Sequence, residues 1–202
     1  ASPSEHPAWV FQKLEKSGAK ISVGTDPCQL IKAIKNQIEI SGIRNAHLRD
    51  GAAVCKFLAW IDQNAPDGSV SELSASDTLE KFRSQNDLFR GLSFPTIAGA
   101  GPNGAIVHYR VSEKTNRLLD QNSLFLVDSG AQYTDGTTDI TRTMAIGIPT
   151  PEMRQNFTLV LKGHMALAQV KFPKGTTGSQ LDILARSHLW NAGLDYDHGT
   201  GH

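Results

Sequence analysis

Asp128 and Asp139 stand inside apolar or strand-like runs, where a plain strand would not need a carboxylate. Asp128 follows Leu124-Phe-Leu-Val127, and Asp139 lies between Thr138 and Ile140. A carboxylate is costly to bury unless it is paired or bound to a metal. The pair therefore reads as two ligands delivered by a β-hairpin, the first half of a two-metal hydrolytic site. The register is demanding. If Asp135-Gly136 formed a two-residue tip, Asp128 would face Thr143 and Asp139 would face Gln132. The carboxylates would then share a face but lie roughly 13 Å apart. Sharing metals requires a tip nearer Tyr133-Thr134, or a bulge. As turn or edge residues, the two aspartates would need no ion, and spacing alone leaves both readings open.

Histidines supply the rest of the candidate chemistry. His108 falls in an alternating run, Ile106-Val-His-Tyr109, read as a strand beside a glycine turn. His198 and His202 are four apart, a spacing that would share one face of a helix. Gly199 and Gly201 argue against a helix there, so both are placed on a loop or an extended strand, pointing to the same side. His47 falls on the apolar face of a helix and reads as a buried, hydrogen-bonded residue rather than a ligand. His6, His164 and His188 read as structural or surface residues.

Twenty Lys and Arg balance twenty Asp and Glu. No net field draws the chain to nucleic acid or a membrane surface. No apolar run approaches the roughly 20 residues of a membrane span. The start, ASPSEHPAW, has no basic-then-apolar pattern, so no signal peptide is visible, and no Met, which fits a processed chain, an excised one or a fragment. Cys28 and Cys55 form no framework and read as reduced thiols of a cytoplasmic protein.

The elements that must position these groups follow from periodicity. Residues 9–14 read as the end of a helix, 20–23 as a short strand, and Thr25-Asp-Pro27 as a turn that can open a helix. Ile40, Ile43, His47, Gly51, Val54, Leu58 and Ile61 recur at steps of three and four, predicting a helix over about 37–63. A second helix is expected over 74–85, with Ser74 and Asp77 as a capping box. Strands and glycine turns follow over 89–110. Thr150-Pro151 opens a third helix, in which Met153 and Met165 read as core filler. Ser179 with Asp182 caps a fourth, ending near Asn191 and Gly193. Helices alternate with hairpin-linked strands, so the fold class is α+β, with a mostly antiparallel sheet and helices on one face.

In order, GLSFPTI (91–97), GPNGAIVHY (101–109), LVDSGAQYTDGTTDITRT (126–143) and HGTGH (198–202) resemble the catalytic domain of the Xaa-Pro aminopeptidases, aminopeptidase P, among the pita-bread metallopeptidases. KAIKN (32–36) and AHLRDGAA (46–53) match as well. The resemblance implies that Asp128 chelates one metal, Asp139 bridges two, and His202 binds the other. It implies that His108 and His198 contact substrate and the tetrahedral intermediate, and that Phe94 lines the substrate pocket. Two glutamate ligands and a further histidine of the family pattern would fall after His202, so the chain reads as truncated, with residues 1–35 the tail of a preceding domain and linker and 36–202 the N-terminal part of the catalytic domain. Mostly oxygen ligands with one histidine suit Mn²⁺, with Zn²⁺ or Co²⁺ as alternatives. The implied substrates are peptides with proline second, and the implied full-length assembly is a homodimer. A prolidase-type dipeptidase, a methionine aminopeptidase and a non-catalytic pita-bread module that binds a protein are the competing readings.

Overall fold

The computed structural model describes residues 5–202. Its contacts divide the chain into two compact units, one ending at Gly42 and one running from Ile43 to His202. The first unit holds α1 (Ala8–Lys16) and α2 (Pro27–Ala33). Asp26 caps α2 by accepting from the Cys28 amide at 2.8 Å, and Pro27 occupies the first helical position. Residues 20–23 form no strand, contrary to expectation.

Helix α3 (Gln37–Asn64) starts on a reciprocal cap. The Asn36 side chain accepts from the Glu39 amide, and Glu39 accepts from the Asn36 amide, both at 2.9 Å. Its buried stripe is Ala46, Asp50, Val54, Phe57 and Ile61. The expected stripe through His47 is one position off in this half. His47 is exposed, with Nδ1 2.8 Å from the Ile43 carbonyl oxygen. A carboxylate, Asp50, holds the central buried place instead. Arg83 answers it from α4 (Glu72–Ser84), with Nε and Nη2 donating to Asp50 at 2.7 and 3.0 Å. The Tyr133 hydroxyl donates to the same carboxylate at 3.0 Å. The box opening α4 is Ser71 with Ser74, not Ser74 with Asp77.

Strands β1 (Phe89–Ala100), β2 (Ser123–Tyr133) and β3 (Ile140–Ile146) form an antiparallel sheet in that order. Alternation along β2 sends Phe125 and Val127 into one core with Val54, Phe57 and Ile61 of α3 and Ala75 and Leu79 of α4. By the same alternation Leu126 and Asp128 face away from those helices. Three one-residue register shifts bend β1, the last between Phe94 and Ile97. Pro95, which has no amide hydrogen to offer a ladder, sits at that irregularity.

Helices α5 (Pro151–Gln169) and α6 (Gly178–Trp190) pair closely. A Cβ on Gly163 would stand 2.1 Å from the Ala185 carbonyl oxygen, so only glycine permits that approach. Thr150 caps α5 as expected, accepting from the Met153 amide at 3.2 Å. Its apolar face does not form core, however. Phe157, Val160, Leu161 and Met165 stay about half exposed, and the first three border a groove of about 1180 Å³ together with residues of β3. At the start of α6 Gln180 accepts from the Thr177 amide at 2.8 Å. The expected box of Ser179 with Asp182 is not used, because Asp182 is engaged elsewhere.

Candidate metal centre

The hairpin register lies between the two alternatives that its sequence offers. Asp128 pairs with Thr141, and Ser129 with Ile140. An isolated bridge joins Gln132 to Thr137, which centres the turn on Thr134 and Asp135. Asp139 is thus two residues from the position opposite Asp128, on the same face and within diagonal reach. Thr138 makes this last step possible. Its amide donates to the Ala131 carbonyl at 2.9 Å, and its hydroxyl oxygen accepts from the Ala131 amide at 3.0 Å. Its own carbonyl is turned out of the ladder to accept from Ser93 Oγ at 3.0 Å. A Cβ on Gly130 would lie 2.0 Å from that carbonyl oxygen, so glycine is required there.

On this face the ligand-type atoms of Asp128, Asp139 and His202 lie within 4.8 Å of one another. Among the described residues they are the one group of three or more His, Cys, Asp or Glu side chains so arranged. His202 Nε2 is 3.2 Å from Asp139 Oδ1 and 4.0 Å from Asp128 Oδ1. Thr141 donates to Asp128 Oδ1 at 2.7 Å and fixes that carboxylate. Desolvation holds the Asp139 carboxyl above the usual carboxylate range; His202 works against this rise, and the charge of Asp128 adds to it. Two carboxylates with an imidazole nitrogen beside them match the donor set of a divalent cation.

A cavity of about 410 Å³ opens onto these three side chains and is walled by Phe94, Pro95, Ile97, His108 and Arg110. His108 reaches it from a turn and not from the expected strand. Its φ is 54°, a left-handed conformation that a residue with a Cβ seldom takes. Residues 106–110 include no strand, and the Tyr109 amide donates to the Ile106 carbonyl at 3.2 Å. The cause lies in the buried Glu72. It accepts from the Ala100 amide at 2.7 Å, Asn103 Nδ2 at 2.9 Å, the Tyr109 hydroxyl at 3.1 Å and the Arg117 amide at 3.0 Å. With its neighbour Tyr109 drawn into this cluster, His108 projects outward.

His198 does not line this cavity. Its ring stacks on Tyr196, centroids 4.6 Å apart, and Nδ1 lies 2.8 Å from the Gly199 carbonyl oxygen. Residues 195–202 form neither helix nor strand, so of the two expected placements for His198 and His202 the loop is the one found. Thr141, Ile97, Arg110 and Glu72 are site residues that the sequence did not single out. Thr141 shares strand parity with Asp139 and was open to discovery on that ground. Glu72 carries no local signal, because its four donors come from segments distant in the chain.

The sequence profile of metallopeptidase family M24 matches residues 41–202, and the chain belongs to this family. It is 50% identical over 177 residues to an uncharacterized peptidase of Schizosaccharomyces pombe, covering 87% of this chain and 30% of that protein. It is 48% identical over 202 residues to a probable Xaa-Pro aminopeptidase P of Sordaria macrospora, covering 98% and 33%. The crystal structure of X-prolyl aminopeptidase from Caenorhabditis elegans, described as a cytosolic enzyme with a di-nuclear active site, superposes with a TM-score of 0.84 at 40% identity, covering 96% of this chain and 36% of that one. The fold is therefore the pita-bread fold, α+β, and the chain spans about a third of the length of these relatives.

Proposed function

We propose that this chain carries part of the dinuclear centre of an aminopeptidase that hydrolyses the N-terminal Xaa-Pro bond of peptides. The observation that carries the reading is the convergence of Asp128, Asp139 and His202 beside a cavity walled by Phe94 and His108. In this reading Asp128 would hold one ion, Asp139 would be shared between two, and His202 would hold the other. The closer approach of His202 to Asp139 than to Asp128 supports the sharing. An oxygen-rich set with one histidine favours Mn²⁺, with Zn²⁺ or Co²⁺ as alternatives. When bound, such ions activate water and polarise the scissile carbonyl.

The chain's own residues do the rest. Phe94, Pro95 and Ile97 give the cavity an apolar wall suited to a proline ring. His108, exposed in its turn, is placed to donate to the carbonyl oxygen as charge develops on it. Thr141 holds the Asp128 carboxylate in one orientation. For His198 the resemblance supports a substrate contact, whereas its stacking on Tyr196 supports a structural part. The described residues offer the ion pair no other carboxylate cluster, so this stretch alone binds metal weakly and hydrolyses little.

Around this centre, residues 1–35 are read as the tail of a preceding domain and linker, supported by a family match that starts at residue 41. A cytoplasmic location is supported by two exposed free cysteines and by the cytosolic relative. No described helix is long and apolar enough to cross a membrane. A homodimer is proposed for the full-length enzyme on the family resemblance alone.

The test supplies Mn²⁺ and the downstream sequence of the full-length protein, then measures release of the first residue from an Xaa-Pro-containing peptide. Release is expected and falls at least 100-fold in Asp139→Asn. A folded, metal-loaded protein that releases nothing sinks the peptidase reading. Cleavage confined to dipeptides makes it a prolidase, and calorimetry without divalent-ion binding makes it a non-catalytic module.

A further inference from the structure

His202 approaches the two aspartates from a segment that has no regular structure of its own. Between Asp195 and His202 no ladder or helix supplies partners to the backbone, so something else must fix its path. One side chain does. Arg186, on the third turn of α6, spreads its guanidinium across the segment with only 13% of the side chain exposed. Nε donates to Asp182 Oδ2 at 2.7 Å, one turn earlier on the same helix. Nη1 donates to Asp195 Oδ1 at 2.8 Å and to the Tyr196 carbonyl at 2.6 Å. Nη2 donates to the His198 carbonyl at 2.7 Å. The guanidinium also lies over the Tyr196 ring, 4.0 Å from its centroid. Asp182 completes the clamp by accepting from the Thr200 hydroxyl, and the hydroxyls of Thr200 and Tyr196 lie 2.5 Å apart.

We propose that Arg186 is a positioning residue for the metal centre: it sets the path of residues 195–200 and so aims the His202 imidazole at Asp139. This rests on the reading of Asp128, Asp139 and His202 as metal ligands. Arg186 touches none of the three, so its effect passes through the segment. A planar fork that bonds several acceptors at once is what the geometry uses, and lysine cannot reproduce it. Residues that orient a ligand without touching the ion typically alter metal affinity by about 10–100-fold.

The test compares the full-length parent protein with its Arg186→Leu, Arg186→Lys, Thr200→Val and Asp139→Asn variants. Two readouts are taken. One is the Mn²⁺ dissociation constant from an electron paramagnetic resonance titration. The other, without metal, is the set of His202 ring signals in a ¹H–¹⁵N spectrum. Arg186→Leu is expected to weaken Mn²⁺ binding about tenfold or more, and to move and broaden the His202 signals, while the helical circular dichroism stays at the parental value. Arg186→Lys is expected to recover only a small part of the affinity. Thr200→Val, which removes one arm of the clamp, is expected to show the same change at smaller amplitude, and decides the matter if the leucine variant does not fold. Unchanged His202 signals in Arg186→Leu, or in Thr200→Val where that variant decides, overturn the proposal. So does parental Mn²⁺ affinity in the deciding variant. A parent that binds no Mn²⁺, or an Asp139→Asn that binds it equally, overturns the metal reading instead and leaves the ring signals to judge Arg186.

Discussion

Two irregular segments bring histidines to the neighbourhood of the hairpin, and each is tied down by one charged side chain. Residues 100–117 close around Glu72, a carboxylate with no exposed surface and four donors. Residues 195–200 close around Arg186, itself mostly covered but with its carboxylate partners partly open to water. Glu72 is anchored among core residues of α4, so its loop and the core stand or fall together. Arg186 is anchored on a helix that pairs with α5, and its segment can loosen while the sheet stays intact. The same device therefore serves stability in one place and aim in the other.

The contrast can be broken most directly at Glu72. Glu72→Ala strands four donors in or near the core and is expected to cost at least about 3 kcal/mol of stability, read from urea unfolding. Arg186→Leu should leave the urea midpoint almost unchanged; an equal loss in both variants would erase the distinction. Next in size is Gly130→Ala, which forces a methyl against the Thr138 carbonyl and is expected to cost about 1–3 kcal/mol. It should also shift the Asp139 backbone resonances, since Thr138 sets that residue's position. The smallest effect concerns the other buried anchor, Asp50. Burial, helped by the charge of Asp50, pushes the Tyr133 phenol well above its usual value near 10. A phenol with a raised folded-state pKa contributes stability that is complete below the unfolded value and declines as pH climbs past it. Denaturation between pH 8 and 11 should show this alkaline decline, and Tyr133→Phe should flatten it at a cost of about 1 kcal/mol near neutrality.

Much of this was legible in the residues. The helix from Gln37, the Thr150 cap and the two hairpin strands follow from periodicity and capping chemistry, which act within a few residues. The motifs containing Asp128, Asp139 and His202 pointed to one place, and the structure brings them together. What was not legible depends on partners far apart in the chain. The buried place of Asp50 rests on Arg83, 33 residues away in the chain, and no local pattern announces it. The Ile106–Tyr109 run alternates like a strand, yet Glu72 takes Tyr109 into its cluster and turns His108 outward. The hairpin register was bracketed and not fixed, because the deciding contact, Ser93 to the Thr138 carbonyl, comes from a third strand.

The Thr134–Asp135 turn has a consequence for how this protein can change over generations. Side chains in a strand alternate at every residue, so gaining or losing one residue between Gln132 and Thr138 would send Asp139 to the helix-covered face. Substitutions in that stretch are open to gradual trial, but a change in its length is an all-or-none event for the centre. By contrast, the exposed stretch at 113–114 lies outside the sheet and sets no side-chain parity. In this molecule the count of residues in one short turn is inherited more strictly than their identity.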